Sequence, residues 1–316
     1  MKNRKIRNIV IFIIVVGLPL LLFLHPGGQR RMDLLTQKIR GYLPGITWTE
    51  LAVRMIPNPL RAPVANLVLP SHPHWIQKLV FPEIQDKPWA IYTVYDGPTT
   101  RLEMFDCHVS VLKSGVTPHP PHQHVEEELL MPLKGNLAVI RAIRKNATAS
   151  EQTVEIAAPG QIIYHAPDGF HTIRAEDPDH PATHLVFKWR TNLSLKPEAA
   201  LRSSIFSLDR AETTPPDTST KWVRNVVFEG PTPHLAKLHG HISLMKPGGG
   251  YDPHSDPYDV AIVLLSGAVE TLDRKVDAPS VIFYSANRPH GLRNAGTVDA
   301  RYLVMEFHAG SDADNH

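Results

Sequence analysis

Cysteine is nearly absent from this chain, since Cys107 is the only one among 316 residues. A single thiol excludes an intrachain disulfide, a zinc site built from cysteines and a lipid-anchoring cysteine near the start. The cysteine count leaves the redox compartment open.

A concentrated basic surface is also missing. The formal net charge is +2, with 42% hydrophobic and 20% charged residues, a composition typical of a globular protein with room for two domains. Residues 1–31 contain no acid and six basic residues, Lys2, Arg4, Lys5, Arg7, Arg30 and Arg31. The rest of the chain is therefore net acidic, which argues against a nucleic-acid partner.

One long apolar run, IVIFIIVVGLPLLLFL, occupies residues 9–24 behind a basic start. A membrane-crossing helix needs roughly 17 to 25 residues and a signal-peptide core roughly 7 to 15, so the run lies between the two. No convincing small-x-small cleavage site follows, which favours an uncleaved signal anchor over residues 1–28. The basic flank should stay in the cytoplasm, so we expect a membrane-anchored protein whose globular part is exported to the periplasm or the extracellular side.

Residues 29–89 contain eight prolines, which forbid long helices and central strands. Trp48, Trp75 and Trp89 lie among them and need a place to be buried. We expect a proline-rich arm that lies over the globular part or over a neighbouring subunit of a homo-oligomer.

From Ala90 onwards, short β-branched or alternating runs are separated by turn residues. AIYTVYDG, MFDCHVSVLK and NLAVIRAIR are examples in residues 90–190, and WVRNVVFEG, LHGHISLMK and PSVIFYSA are examples in residues 221–312. This pattern is typical of antiparallel sandwiches and barrels. Between them, residues 191–220 combine the helical spacing of PEAALRSSIFSLDR with the polar linker AETTPPDTST, which predicts a linker with a short helix.

The two strand regions repeat one another. The pattern His108-x-Ser110-x-x-Lys113-x-Gly115 recurs as His241-x-Ser243-x-x-Lys246-x-Gly248. His122 and Gly135 correspond to His254 and Gly267, and the set Tyr164, Ala166, His171, Arg174 reappears as Tyr284, Ala286, His290, Arg293. The shared order predicts two β-barrel modules in one chain.

The stretch HPPHQHVEEELLMPLKG, residues 119–135, contains the strongest chemical signal. On a strand, alternate side chains share a face, so His122 and His124 project together, and Glu126 and Glu128 continue that face if the strand stays regular. Imidazole mixed with carboxylate suits Mn, Fe, Co, Ni, Cu or Zn rather than Ca or Mg. A further ligand must come from elsewhere, and His171 is the candidate.

These residues resemble a known family. Gly115-x6-His122-x-His124-x3-Glu128-x6-Gly135 is similar to the first cupin motif, and Gly160-x6-Pro167-x-Gly169-x-His171 to the second. The later module resembles a cupin in Gly250-x3-His254-x-Asp256 and Pro289-His290-x3-Asn294. The resemblance implies an all-β bicupin, two jelly-roll barrels in tandem. It also implies one divalent metal (Fe, Mn, Cu, Ni or Zn) in the first barrel, held by His122, His124, Glu128 and His171.

The second module departs from the family pattern, with Asp256 in place of the second histidine and Val260 in place of the glutamate. His254, Asp256 and His290 are thus a candidate second metal site or a decayed one. In the first module, Glu126 is a candidate base beside the metal, or else part of a solvated edge. Arg174 is a candidate for orienting an acidic substrate, or else an exposed strand arginine.

Three neutral imidazoles and one carboxylate leave a divalent ion with a charge of about +1 and two open positions. The resemblance implies three function classes for such a site. These are dioxygenase-like oxidoreductases, non-redox lyases, isomerases or aminohydrolases, and non-catalytic modules that bind small ligands. We expect a metal-dependent enzyme for a small carboxylate, sugar acid or aromatic substrate, with dioxygenase-like chemistry first.

Overall fold

The computed structural model describes residues 74–84, 86–192, 195, 197–209, 221–287 and 289–309. Their regular secondary structure is almost entirely β-strand, with a 3-10 helix at Ala149–Glu151, which confirms the all-β prediction. The predicted signal anchor, and all of the proline-rich arm before residue 74, lie outside the described residues. Among the residues that are described, no helix has the length and apolar character needed to cross a membrane.

The first half of the chain contributes ten strands. They are β1 (His74–Lys78), β2 (Trp89–Gly97), β3 (Met104–Leu112), β4 (Glu127–Lys134), β5 (Leu137–Ala142), β6 (Gln152–Ala157), β7 (Gln161–His165), β8 (Phe170–Ala175), β9 (Ala182–Arg190) and β10 (Ser204–Ser207). A six-stranded sheet in the order β10-β7-β4-β9-β3-β2 and a three-stranded sheet in the order β6-β5-β8 make the first barrel.

The second half contributes nine strands. They are β11 (Trp222–Gly230), β12 (Lys237–Met245), β13 (Gly250–His254), β14 (Asp259–Ser266), β15 (Ala268–Thr271), β16 (Arg274–Asp277), β17 (Ser280–Tyr284), β18 (His290–Asn294) and β19 (Ala300–His308). Sheets in the orders β1-β17-β14-β19-β12-β11 and β13-β18-β15-β16 make the second barrel. All the pairings are antiparallel, as the sequence pattern predicted.

Each barrel receives an edge strand from the segment that precedes the other barrel. Strand β1 comes before the first barrel but pairs with β17, and β10 comes before the second barrel but pairs with β7. The helix predicted around β10 is therefore wrong over residues 197–209, which form a turn and this strand. Ile205 packs on the core inside the first barrel and Phe206 on the core between the barrels, so two-sided packing overrides the local helical spacing.

The largest hydrophobic core lies between the two barrels. Phe105 of the first barrel lies 5.1 Å from Phe283 and 5.5 Å from Phe307 of the second, measured between ring centroids. Alternate residues of the same strands line a smaller core inside each barrel. Because both faces of each six-stranded sheet are buried, strands such as β14, DVAIVLLS, read as nearly continuous apolar runs.

Two buried carboxylates fasten the barrels together in the same way. Glu127 of the first barrel accepts hydrogen bonds from the backbone N–H of His234 at 2.8 Å and from the hydroxyl of Thr232. Asp259 of the second barrel accepts hydrogen bonds from the hydroxyl of Thr99 and from the backbone N–H of Arg101 at 3.0 Å. Each barrel thus holds a loop of the other.

The two fastened loops have the same internal structure. The backbone N–H of Thr99 donates to the carbonyl of Leu102 at 3.0 Å, and that of Thr232 donates to the carbonyl of Leu235 at 2.9 Å. In the sequence they read GPTTRL and GPTPHL, residues 97–102 and 230–235. This short repeat is a further trace of the duplication.

Candidate metal centre

The structure brings the four ligands predicted in the first barrel together, although by a different route from the one expected. His122 and His124 lie in a loop, and β4 begins only at Glu127, so the expected regular strand through His122 does not form. His122 instead makes an isolated antiparallel bridge with His171 of β8, with backbone hydrogen bonds of 2.9 and 3.1 Å. This bridge holds the loop against the end of the barrel where Glu128 begins its strand.

The three imidazoles face one another at regular spacing. Their ring centroids are 5.3 Å apart for His122 and His124, 5.2 Å for His122 and His171, and 5.0 Å for His124 and His171. One ring nitrogen from each lies within 4.8 Å of the other two. The rings are inclined to one another by 50 to 87°, so their lone pairs can converge on one ion rather than stack.

Backbone carbonyls fix the tautomer of each imidazole. The Nδ1 atoms lie 3.2 Å from the carbonyl of His171 for His122, 2.9 Å from that of Glu126 for His124, and 2.8 Å from that of Gly169 for His171. A carbonyl oxygen only accepts, so Nδ1 carries the proton, and a neutral ring keeps its lone pair at Nε2. Such a second contact is typical of histidines that bind metal ions.

The arrangement of acceptors fits a cation. Oε2 of Glu128 lies 3.0 Å from Nε2 of His171 and 3.8 Å from Nε2 of His124. Nε2 of His124 is buried without a hydrogen-bond partner. Three lone-pair atoms thus face one another, an arrangement that costs free energy unless a positive ion lies between them. A divalent transition metal satisfies all of them at once.

Glu128 is held in its ionised form although it is buried. Burial by itself would raise the pKa of this carboxyl, but Lys188, His124 and His171 together hold its pKa well below the usual range. Nζ of Lys188, on β9, lies 3.1 Å from Oε1 of Glu128. The two carboxylate oxygens therefore have separate partners, with Oε1 on the ammonium and Oε2 towards the imidazoles. Sequence reasoning missed Lys188, which lies among apolar neighbours in THLVFKWR.

His165 is a second residue of the site that sequence reasoning did not assign. Its ring stacks on His171, with centroids 4.0 Å apart and planes inclined by 11°. A nitrogen lone pair lies in the plane of its ring, so an ion bound in the plane of His171 lies well outside the plane of His165. His165 therefore packs behind a ligand rather than acting as one. Its place at the end of the buried, largely apolar strand QIIYH is the only sequence signal for it.

The two predicted catalytic residues lie in different places. Oε1 of Glu126 is 3.1 Å from Nη1 of Arg190, and Oε2 is 3.7 Å from Nδ1 of His124, so Glu126 borders the site. Arg174 does not join it. His171 and Arg174 are three positions apart on β8 and so face opposite sides, and Arg174 contacts Glu176 at 2.9 Å. The structure gives no support for Arg174 as a substrate-orienting residue.

In the second barrel, the structure also brings His254, Asp256 and His290 together. Oδ2 of Asp256 lies 3.5 Å from Nε2 of His254 and 3.3 Å from Nε2 of His290. The His254 side chain is 47% exposed, against 14% for His124. This set is therefore more open to solvent than that of the first barrel.

Strand pairing corrects one match of the sequence repeat. Glu128 pairs with His165, and Val260, at the position of Glu128, pairs with Tyr284. Tyr284 therefore corresponds to His165 and not to Tyr164. Its ring stacks on His290 with centroids 4.1 Å apart, as that of His165 stacks on His171.

Solved structures of other proteins share this architecture. No protein-family model matches the chain, and no curated protein matches it. The crystal structure of the putative glyoxylate induced protein from Pseudomonas aeruginosa is similar with a TM-score of 0.54 and 16% identity, over 70% of this chain and 80% of that one. Protein Ylba from E. coli is similar with a TM-score of 0.53 and 11% identity, over 77% of this chain and 94% of that one.

This is the cupin fold, in two copies. The cupin fold and the two-barrel architecture implied by the sequence motifs are confirmed. Identities this low establish the fold alone, so the chemistry of this chain has to be argued from its own side chains.

Proposed function

We propose that the first cupin barrel is the active site of a mononuclear metal-dependent enzyme, a dioxygenase-like oxidoreductase that acts on a small oxygen-rich anion. The observation that carries the proposal is the convergence of three carbonyl-oriented imidazoles and Glu128 around the buried, unpartnered Nε2 of His124. A bound divalent ion would polarise a coordinated substrate oxygen and, if it were iron, manganese or copper, would exchange electrons with dioxygen.

Charge supports an anionic substrate. The three imidazoles are neutral as ligands, so Glu128 and a divalent ion sum to about +1. Lys188 adds a further positive charge 3.1 Å from Oε1 of Glu128. The negative charge of Glu126 is balanced by Arg190, 3.1 Å away, so Glu126 does not cancel the positive charge of Lys188. A carboxylate, sugar acid or ionised aromatic hydroxyl is the class of small molecule that such a site attracts.

Substrate would enter from the side of the loop that contains His122 and His124. The side chain of His124 is 14% exposed, while those of His171 and Glu128 are 5% and 7% exposed, so the deeper ligands are shielded from water. His119 lies at the exposed rim, with its ring edge-on to His122 at 4.0 Å. The loop thus forms one wall of the entrance.

Glu126, at the edge of this entrance, is our candidate for moving a proton. Arg190 binds its Oε1, while Oε2 remains on the side of His124, at 3.7 Å from Nδ1. An ionised Oε2 in this position can accept a proton from a hydroxyl of a bound substrate and return it to the product. Arg190 fixes the orientation of the carboxylate during both transfers.

The test is metal analysis of protein purified without chelators, followed by aerobic and anaerobic incubation with small carboxylates, sugar acids and catechols. Oxygen uptake that depends on substrate, in protein containing iron, copper or manganese, is the expected result. Equal turnover without oxygen, sustained by zinc or nickel, would instead assign a non-redox lyase, isomerase or aminohydrolase. A metal-loaded protein that binds ligands without turnover, with affinity unchanged in His122→Ala, would assign a binding module.

We also propose that residues 9–24 anchor this enzyme in a membrane and that the barrels are exported. The apolar run and its basic N-terminal flank support this proposal. We expect the protein to stay with membranes after alkaline carbonate washing. We also expect protease added from outside the cell or to spheroplasts to digest it. Release by carbonate, or protection of the barrels from added protease, would contradict it.

A further inference from the structure

A third group of metal-binding side chains lies in the second barrel, outside both motifs. His239 and His241 are on β12, and Glu306 lies directly opposite His239 on the neighbouring strand β19. One candidate ligand atom from each of the three lies within 4.8 Å of the other two. The sequence motifs predicted no role in metal binding for these residues.

All three side chains point into the barrel. Leu238 and Ile242, on β12, belong to the core between the barrels, so alternation turns His239 and His241 to the opposite, inner face. Val304 belongs to the core inside the second barrel, and Glu306, two positions on, shares its face. The three groups are therefore neighbours on the inner surface of one rigid sheet.

Their geometry suits a shared ion. Nε2 of His239 and Nδ1 of His241 are 3.1 Å apart. Two nitrogen ligands bound at about 2.1 Å and at a right angle to one another lie about 3 Å apart. Nδ1 of His239 is 2.6 Å from Oε2 of Glu229, which holds the proton on Nδ1 and leaves Nε2 with its lone pair. A carboxylate behind a histidine is a common support for a metal ligand.

The carboxylate of Glu306 has a supporting contact of its own. Nε2 of His308 lies 3.0 Å from Oε2 of Glu306. A side chain that contacts a ligand in this way holds the orientation of that ligand.

The first barrel has a different set of charges at the same strand positions. There, Asp106 pairs with Lys188 across β3 and β9, as His239 pairs with Glu306 across β12 and β19. Lys188 is the cation that holds Glu128. In the second barrel, Val260 lies at the position equivalent to Glu128, and Glu306 lies at the position equivalent to Lys188.

We propose that His239, His241 and Glu306 bind a divalent transition-metal ion, at a site separate from His254, Asp256 and His290. Two imidazoles and one carboxylate on one face are typical of sites for iron, manganese, cobalt or zinc. The hydroxyl of Tyr258 lies within hydrogen-bonding reach of both Glu306 and Asp256, and so lies between the two sets. This site does not depend on the reaction proposed for the first barrel.

The test uses the full chain with the first centre disabled by His122→Ala and Glu128→Gln, dialysed against Co²⁺ alone. We expect about one cobalt ion per chain, with visible absorption from nitrogen and oxygen ligands. Adding Glu306→Gln, which keeps the size and a hydrogen-bonding group, or His241→Ala should weaken cobalt binding at least tenfold. His180→Ala, which removes an exposed imidazole of the first barrel, is the matched control and should leave binding unchanged. Thermal unfolding of each variant checks that the barrel persists.

Three results would overturn the site. They are absence of cobalt from the background variant, retention of cobalt in Glu306→Gln and His241→Ala, and loss of cobalt in His180→Ala. If the background variant fails to fold, Glu306→Gln in the otherwise native chain replaces it. Bound cobalt should then fall by about one ion per chain relative to the native protein, and an unchanged count would overturn the proposal.

Discussion

The two barrels have the same backbone plan but place their charged groups on different strands. In the first, Glu128 on β4 faces the imidazoles, and Lys188 on β9 lies beside it. In the second, the position of Glu128 is Val260 and the position of Lys188 is Glu306. The strand register is the same, so the difference lies entirely in side chains. A duplicated fold can therefore keep its architecture while a buried carboxylate moves to the neighbouring strand.

What the barrels have in common is structural. His165 and Tyr284 stack on His171 and His290 in the same geometry. The loops that Glu127 and Asp259 hold are equivalent as well. These contacts support the side chains around each candidate site, but they do not determine its chemistry. The supporting residues are therefore equivalent in the two barrels, whereas the candidate ligands differ.

The largest expected effect comes from removing one ligand in each barrel. His171→Ala should abolish stoichiometric metal binding by the first centre, a loss beyond the roughly 10 to 100-fold that removal of an orienting partner causes. His290→Ala, at the equivalent position, should leave that ion bound. Metal titration of both variants measures the difference. Equal metal loss in both would mean that the two centres are not independent.

The next effect concerns the core that the barrels share. Phe283 is 1% exposed and lies against Phe105 of the other barrel, so Phe283→Ala should lower the free energy of unfolding by about 3 to 5 kcal/mol. Val298→Ala, at a side chain that is 61% exposed, is the control and should change it by less than about 0.5 kcal/mol. Chemical denaturation of both variants checks this. A small loss at Phe283 would show that the interface between the barrels contributes little.

The two fastened loops offer a symmetric pair of variants. Thr99→Val removes a donor to Asp259, and Thr232→Val removes a donor to Glu127, so each should cost about 1 to 3 kcal/mol of stability. The two losses should be similar, because the loops have the same internal hydrogen bonds. Denaturant midpoints of the two variants test the symmetry. A loss confined to one of them would break the equivalence of the two carboxylates.

The smallest effect tests the assignment of His165. His165→Phe keeps a flat ring against His171 and should weaken metal binding by no more than about tenfold. His165→Ala removes the support and should weaken it further. Isothermal titration with Co²⁺ compares the two variants. Complete loss of the ion in His165→Phe would make His165 a ligand and would change the proposed set.

Sequence predicted the barrels and their duplication, because alternation and repeat spacing are local signals, and the resemblance to the cupin motifs implied that His122, His124, Glu128 and His171 meet. It failed where distant packing decides. The helix predicted around β10 is a strand because β7 and two cores lie beside it. Lys188 and His239 became visible only once strand pairing placed them opposite Glu128 and Glu306. Arg174 faces away from the site because it lies three positions after His171 on the same strand, where side chains alternate between the two faces.

The most direct test of the central claim is anomalous diffraction from crystals of the metal-containing protein, recorded at the absorption edge of the metal found by elemental analysis. The expected result is a peak in the first barrel bounded by Nε2 of His122, His124 and His171 and by the carboxylate of Glu128. Protein that contains stoichiometric metal but gives no peak at this position would contradict the assignment of the first barrel as the metal centre.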